Sequence, residues 1–210
     1  MSEAEKRRKH YRERLVSPEE AASRIKSGDR VVISHAANAP QLLIEAMTAR
    51  AEGLRGVEVS HMLTLAPAPY CAPGLEESFR YSGAYLNANT RAAVAEGRGE
   101  FRPVFFSEFP ELLRSPAYPV DLALVSCTEP DENGMVSLGV SADYTVQAVK
   151  SAKTVLAAVK KDMPFVYGDC VMPVTEFDWL VPDETPVPEF AASGSGPVEQ
   201  AIGQHIAALI

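Results

Sequence analysis

The sequence predicts an α/β fold, an open, mostly parallel sheet flanked by helices. Short β-branched or wholly apolar runs alternate with amphipathic stretches along most of the chain, the order that builds parallel strands with helical crossovers. The run Val120-Asp-Leu-Ala-Leu-Val-Ser126 is almost entirely apolar, as a strand covered on both faces must be. Thr154-Val-Leu-Ala-Ala-Val159 repeats that signature. Ligands of such sheets bind outside the carboxyl ends of the strands, so the turns that leave strands are where a site is expected.

Taken in order, Ser2 to Arg14 reads as a charged helix. Ser17-Pro-Glu-Glu20 starts a second, with Ser17 as N-cap and Glu20 as its capping-box partner, and Gly28 ends it. A strand follows at Arg30–Ser34, then a helix at Pro40–Arg50. Val57–Met62 alternates as a strand, and Phe79–Ser82 reads as a short one. Thr90–Gly97 is a short helix closed by glycine. Arg102–Phe106 is predicted as a strand and Ser107–Leu113 as a helix. Asp131-Glu-Asn-Gly134 is a tight turn of Asx type, with a short strand at Met135–Leu138. Asp143–Ala152 is helical before the strand at Thr154. From Val171 the pattern loosens into a proline-rich stretch.

Composition bounds the function. The 210 residues are 46% hydrophobic and 23% charged, ordinary for a globular chain. No apolar run approaches the roughly 20 residues of a membrane helix. The acidic residues and missing apolar core of the first 14 positions argue against a leader, so a cytoplasmic protein is expected. The net charge is −8, and after Lys161 there is no Lys or Arg. Without a basic face, nucleic acid is not an expected partner. Lys6-Arg-Arg-Lys9 with Arg12 reads as a solvated helix face. The cysteines 71, 127 and 170 and the four histidines show no metal-ligand spacing, so no metal is expected.

One strand–turn–helix stands out. Val31-Val-Ile33 enters a turn of small and polar residues, Ser34-His-Ala-Ala-Asn-Ala39, and Pro40 opens a helix with Leu43, Ile44 and Met47 on one face. Free N–H groups at such a helix start, under the positive end of its dipole, suit an anion or an oxyanion. An ordinary βα turn would read the same way.

Several ordered stretches together resemble the acetyl-CoA hydrolase/transferase family, whose members include acetate, butyrate and 4-hydroxybutyrate CoA-transferases. They are Gly28 to Pro40; Asn87-Ala-Asn-Thr-Arg91 to Gly99 with Phe105-Phe-Ser-Glu-Phe-Pro110; Pro130-Asp-Glu-Asn-Gly-Met-Val-Ser-Leu-Gly139; and Val159-Lys-Lys-Asp-Met-Pro164 with Gly168-Asp169. The resemblance spans roughly Pro18 to Ile210. It implies an N-terminal α/β domain over residues 1–192, then a linker and the first helix of a missing C-terminal domain over 193–210. Ile202, Ile206, Leu209 and Ile210 form an apolar stripe on that helix, which implies association with the missing domain or with a second copy as a homo-oligomer.

The resemblance further implies that a glutamate attacks an acyl-CoA thioester, that an acyl-glutamyl anhydride and then a glutamyl-CoA thioester form, and that a small carboxylate takes the CoA. Coenzyme A thioester is thus substrate, with no permanently bound cofactor. The nucleophile is expected after Ile210, so neither Glu108 nor Glu132 is assigned to it. The loop His35, Ala36, Ala37, Asn38, Ala39 and Pro40 is the implied oxyanion side. Asn38 stands where many relatives have glycine; it tolerates positive φ and adds an amide able to donate to the substrate. His35 either polarises substrate or is structural. Asn89 and Arg91 suit a carboxylate, although Arg91 could instead pair with Glu96. Met62, Thr64, Pro67 and Tyr70 either line an acyl pocket or pack a proline-rich loop. A hydrolase, in which water is the acceptor, and a non-catalytic CoA-binding or subunit module are the alternatives.

Overall fold

The computed structural model describes residues 1–189 and 194–210. Seven parallel strands form one sheet in the order β4-β3-β2-β1-β5-β7-β9, with β3 at Phe79–Gly83, β4 at Gly99–Phe101 and β9 at Trp179–Asp183. At its centre lie β1 (Arg30–Ile33), β2 (Val57–Ser60), β5 (Val120–Thr128) and β7 (Ala152–Lys160). Alternate residues of these strands enter two separate cores. Val31, Ile33, Leu122, Leu124, Leu156 and Ala158 meet one set of helices. Val32, Ala123, Val125, Cys127, Val155 and Ala157 meet the other.

Helices α2 (Pro18–Ala22) and α3 (Gln41–Thr48) cover the first face through Ala21, Leu43, Ile44 and Met47. Helices α5 (Phe109–Arg114) and α6 (Tyr144–Ser151) cover the second through Phe109, Leu113, Tyr144 and Ala148. Each such aliphatic side chain contributes roughly 1.5–3 kcal/mol when fully buried, which explains why β5 and β7 carry no polar alternation. The predicted sheet, its helices and the two-faced burial of Val120–Ser126 are all present.

Four local expectations change. The outer strand β4 is Gly99–Phe101, not Arg102–Phe106. Arg102 still donates its N–H to Gly83 O at 2.9 Å, but Pro103 has no N–H to continue the ladder. Helix α4 (Ala88–Ala95) starts two residues early because the Asn87 side chain accepts the Asn89 N–H and caps it. Pro40 is the N-cap of α3 instead of its first turn. The loosened stretch after Val171 contains β8 (Val171–Pro173), antiparallel to β6 (Met135–Ser137), and β9 (Trp179–Asp183), parallel to β7. Pro182 hides β9 from sequence, yet an edge strand tolerates proline. Leu180 on this edge donates to Arg14 O and accepts from Val16 N–H, both at 2.9 Å.

The charged helix α1 (Glu3–Glu13) is anchored where it is basic. Arg7 donates to Asn133 O, and its Cβ occupies the space that a Cβ on Gly134 would need. Gly134 is at φ 71°, so the Asp131 turn needs glycine for both space and backbone angle. The Asp131 carboxylate accepts the N–H groups of Asn133 and Met135, as the Asx reading expected. The expected boundary at 192/193 lies outside the described residues. Helix α7 (Pro197–Ala207) beyond it buries none of its residues.

Candidate active site

The strand order reverses direction between β1 and β5, and the Ser34–Pro40 loop leaves β1 at that switch point, where open α/β sheets bind ligands. The structure divides the loop in two. His35, Ala36 and Ala37 are partly exposed, whereas Asn38, Ala39 and Pro40 are buried. The exposed tip is held from one side by Ala36, whose N–H donates to Leu63 O at 2.9 Å. From the other side Asn38 Nδ2 donates to Ser126 O on β5 at 3.2 Å. Ser34 Oγ closes the loop with a 2.6 Å hydrogen bond to Asn38 O.

This placement alters the expectation for Asn38. Its amide donates inward to the fold, not toward a substrate, and the residue has no solvent exposure. Nor is it the residue at positive φ. Among the described residues Ala36 alone, apart from glycines, has one, at 51°, a region that costs an L-residue roughly 1–2 kcal/mol. The donors that remain lie at the tip. Ala37 N–H makes no hydrogen bond among the described residues, and α3 has no side-chain cap over its first-turn N–H groups.

Beside this tip lies a cleft of about 240 Å³ lined by His35, Met62, Leu63, Tyr85 and Phe106. His35 and Tyr85 contribute its polar groups; Met62, Leu63 and Phe106 are apolar. The imidazole packs against Phe106 and Tyr144, with ring centroids 5.1 and 5.7 Å away. Its Nδ1 is 2.8 Å from Asp143 Oδ2. Burial opposes ionisation of Asp143, but hydrogen bonds from His35, the Thr145 N–H and the Ser141 and Thr145 hydroxyls outweigh it and hold the carboxyl below its ordinary range. Tyr144 fixes the helix start beneath the ring by donating its hydroxyl to Ile33 O at 2.8 Å.

The other candidates fall into a supporting tier. Asn87 Nδ2 donates to Thr64 O, and Asn89 Nδ2 to Ala66 O at 3.0 Å. The start of α4 therefore clasps the loop that pairs with Ala36, a link made through the Ala36–Thr64 bridge. Arg91 is exposed, and among the described residues its guanidinium donates only to Leu86 O; Glu96 pairs with Arg98 instead. Asn89 and Arg91 do not line the cleft. Of the expected acyl-pocket residues, Met62 lines it. Tyr70 is buried against His61, whose Nε2 lies 2.6 Å from the phenol. Glu108 accepts the Phe105 N–H and orders its own turn. Among the described residues no helix is long and apolar enough to cross a membrane.

Sequence reasoning missed Leu63, Tyr85, Phe106 and Asp143. Asp143 shows in sequence only as the first residue of a helical stretch, and its partner is 108 positions away. Phe106 was assigned to a strand, where its side chain had no evident destination.

Residues 1–190 match the model of the acetyl-CoA hydrolase/transferase N-terminal domain. The chain is 39% identical over 200 residues to the 4-hydroxybutyrate coenzyme A transferase of Clostridium kluyveri, covering 95% of this chain and 47% of that protein. It is 32% identical to the succinyl-CoA:cyclohexane-1-carboxylate CoA transferase of Geobacter metallireducens, covering 96% and 46%. Among solved structures, the 4-hydroxybutyrate CoA-transferase of Porphyromonas gingivalis superposes with a TM-score of 0.80 at 32% identity, covering 97% of this chain and 47% of that one. RipA from Yersinia pestis superposes with a TM-score of 0.89 at 26% identity, covering 97% and 50%. The chain spans about half the length of the relatives it matches. A switch-point loop on a seven-stranded parallel sheet and a match over nearly the whole chain lead to one assignment: this chain belongs to the acetyl-CoA hydrolase/transferase family, in its N-terminal domain.

Proposed function

We propose that this chain is the N-terminal domain of an acyl-CoA:carboxylate CoA-transferase, and that it supplies the oxyanion side of a site whose nucleophilic glutamate comes from a C-terminal domain. The carrying observation is the composition of the cleft. It sets an imidazole in an apolar pocket next to a loop whose Ala37 N–H has no partner among the described residues, and among those residues no glutamate lines it.

The chemistry follows from that pairing. Attack on a thioester carbonyl moves charge onto its oxygen. Fixed donors at the Ala37 N–H and at the first turn of α3 meet that charge without reorganising, and apolar walls strengthen the interaction by keeping water away. Two cleft side chains, the His35 imidazole and the Tyr85 phenol, can donate or accept a proton. Arg91, exposed and with no carboxylate partner among the described residues, is proposed to attract the anionic acceptor. Acyl-CoA and a small carboxylate are therefore the substrates, with CoA passing through as substrate and no cofactor held permanently. The exposed Ile202, Ile206, Leu209 and Ile210 support docking of the C-terminal domain or of a second copy in a homo-oligomer. Residues 1–192 then form the catalytic half-domain and 193–210 the connection. A cytoplasmic setting suits this metabolism.

The test is acyl-CoA:carboxylate exchange, followed with labelled acetate. The chain alone is expected to show none. A completed enzyme, made by joining it to the C-terminal half of the Clostridium kluyveri relative, is expected to show exchange. Turnover by residues 1–210 alone would overturn the proposal. Free acid released without any carboxylate acceptor would favour a hydrolase.

A further inference from the structure

Asp143 makes more contacts than a helix cap needs. Its Oδ1 accepts the Thr145 N–H and the Thr145 hydroxyl, both at 2.9 Å. Its Oδ2 accepts the Ser141 hydroxyl at 2.8 Å and lies 2.8 Å from His35 Nδ1. An ionised carboxylate offers about four acceptor positions and no donor, so all four are filled. Only a ring N–H can occupy the last of them. The neutral imidazole therefore carries its proton on Nδ1, and Nε2, which has no hydrogen-bond partner among the described residues, keeps its lone pair. Phe106 and Tyr144 fix the ring plane from two other directions.

We propose that Asp143 is a positioning residue for His35: it selects the Nδ1–H tautomer and leaves Nε2 as the ring atom that meets the reacting acyl-CoA. This rests on the reading that His35 borders the reaction. In that role Nε2, protonated from solvent, donates to the developing oxyanion and gives the proton back to solvent when that charge collapses, while Asp143 stays ionised and balances the imidazolium.

Asp143→Asn separates positioning from folding. Asparagine caps helices as well as aspartate does, so α6 should keep its start, while the charge and one acceptor oxygen are lost. The ¹⁵N resonances of the His35 ring, recorded in the 210-residue chain above the ordinary histidine titration range, report the tautomer directly. The expected wild-type state is Nδ1–H. The expected result in Asp143→Asn is a shift of population toward Nε2–H at unchanged helix content. In the completed enzyme the same change should lower kcat by roughly 10²-fold with little change in KM. A wild-type Nε2–H ring, or an unmoved tautomer in the folded variant, would overturn the positioning role whatever the exchange rate. A moved tautomer together with undiminished exchange in His35→Gln would instead overturn the reading on which the proposal rests.

Discussion

His35 and His61 follow neighbouring parallel strands, β1 and β2, yet the fold treats them oppositely. His35 is partly exposed, paired with a carboxylate, and has one nitrogen open beside a cleft. His61 is fully buried, and burial, with a smaller contribution from His35, pushes its pKa down to about 3. Its Nε2 meets the Tyr70 phenol, its Nδ1 has no partner, and its ring lies 4.9 Å from that of Tyr81. The same side chain thus packs the core at one strand end and borders a cleft at the next. Depth below the loop decides the role, and a difference of depth leaves no mark on the spacing of histidines along the chain.

Four measurements would break or sharpen that contrast. The largest effect belongs to catalysis: in the completed enzyme, His35→Ala should lower the exchange rate by about 10²–10⁴-fold, while His61→Gln should leave it within about tenfold. Comparable losses from both would erase the distinction. Stability should reverse the order. His61→Ala opens a cavity beside Tyr81 and strands the Tyr70 hydroxyl, at a cost of roughly 3–5 kcal/mol. His35→Ala should cost about 1 kcal/mol, since the ring is partly solvated. Urea titration of each variant checks both values.

The third measurement is the dependence of stability on pH. The His61 pKa lies at about 3 in the fold against an ordinary 6.5, so between those values the unfolded chain binds the additional proton. This contribution is fully present above about pH 6.5 and is lost as pH falls toward about 3, by up to ~1.4 kcal/mol per pH unit. His61→Gln should flatten that slope, and denaturation midpoints at several pH values would show whether it does. The smallest effect concerns the loop backbone. Ala36→Gly relieves the positive φ and should stabilise the chain by about 1 kcal/mol. Asn38→Gly should destabilise it by about 1 kcal/mol through loss of the Ser126 hydrogen bond. Thermal melts that rank the two glycine variants the other way would show that the loop is held differently.

Much of the fold was legible because apolar periodicity is a local property. Val120–Ser126 and Thr154–Val159 announce a sheet buried on both faces, and the two cores follow from their alternation. What stayed hidden depends on partners distant in sequence. Pro182 argues against a strand until Leu15 and Val16 are seen along its edge. The loop after β1 was legible as a site, but its internal division was not. Asn38 looks like the residue for an unusual backbone angle, whereas Ala36 adopts it because Leu63 draws its N–H across to the neighbouring strand end. Asp143 reads as the first residue of a helical stretch because helical periodicity is local, and its pairing with His35 joins it to the other half of the sheet.

The two fastenings of the loop tip have a mechanical consequence. Ala36 is tied to the β2 side of the crevice and Asn38 to the β5 side, so the loop bridges the seam between the two halves of the sheet. A ligand pressing on Ala37 therefore loads both halves at once, and a relative shift of those halves is transmitted to the donors. The site is as stiff as the sheet beneath it, and any loosening of the seam between β1 and β5 should register first as poorer alignment of the groups that face the cleft.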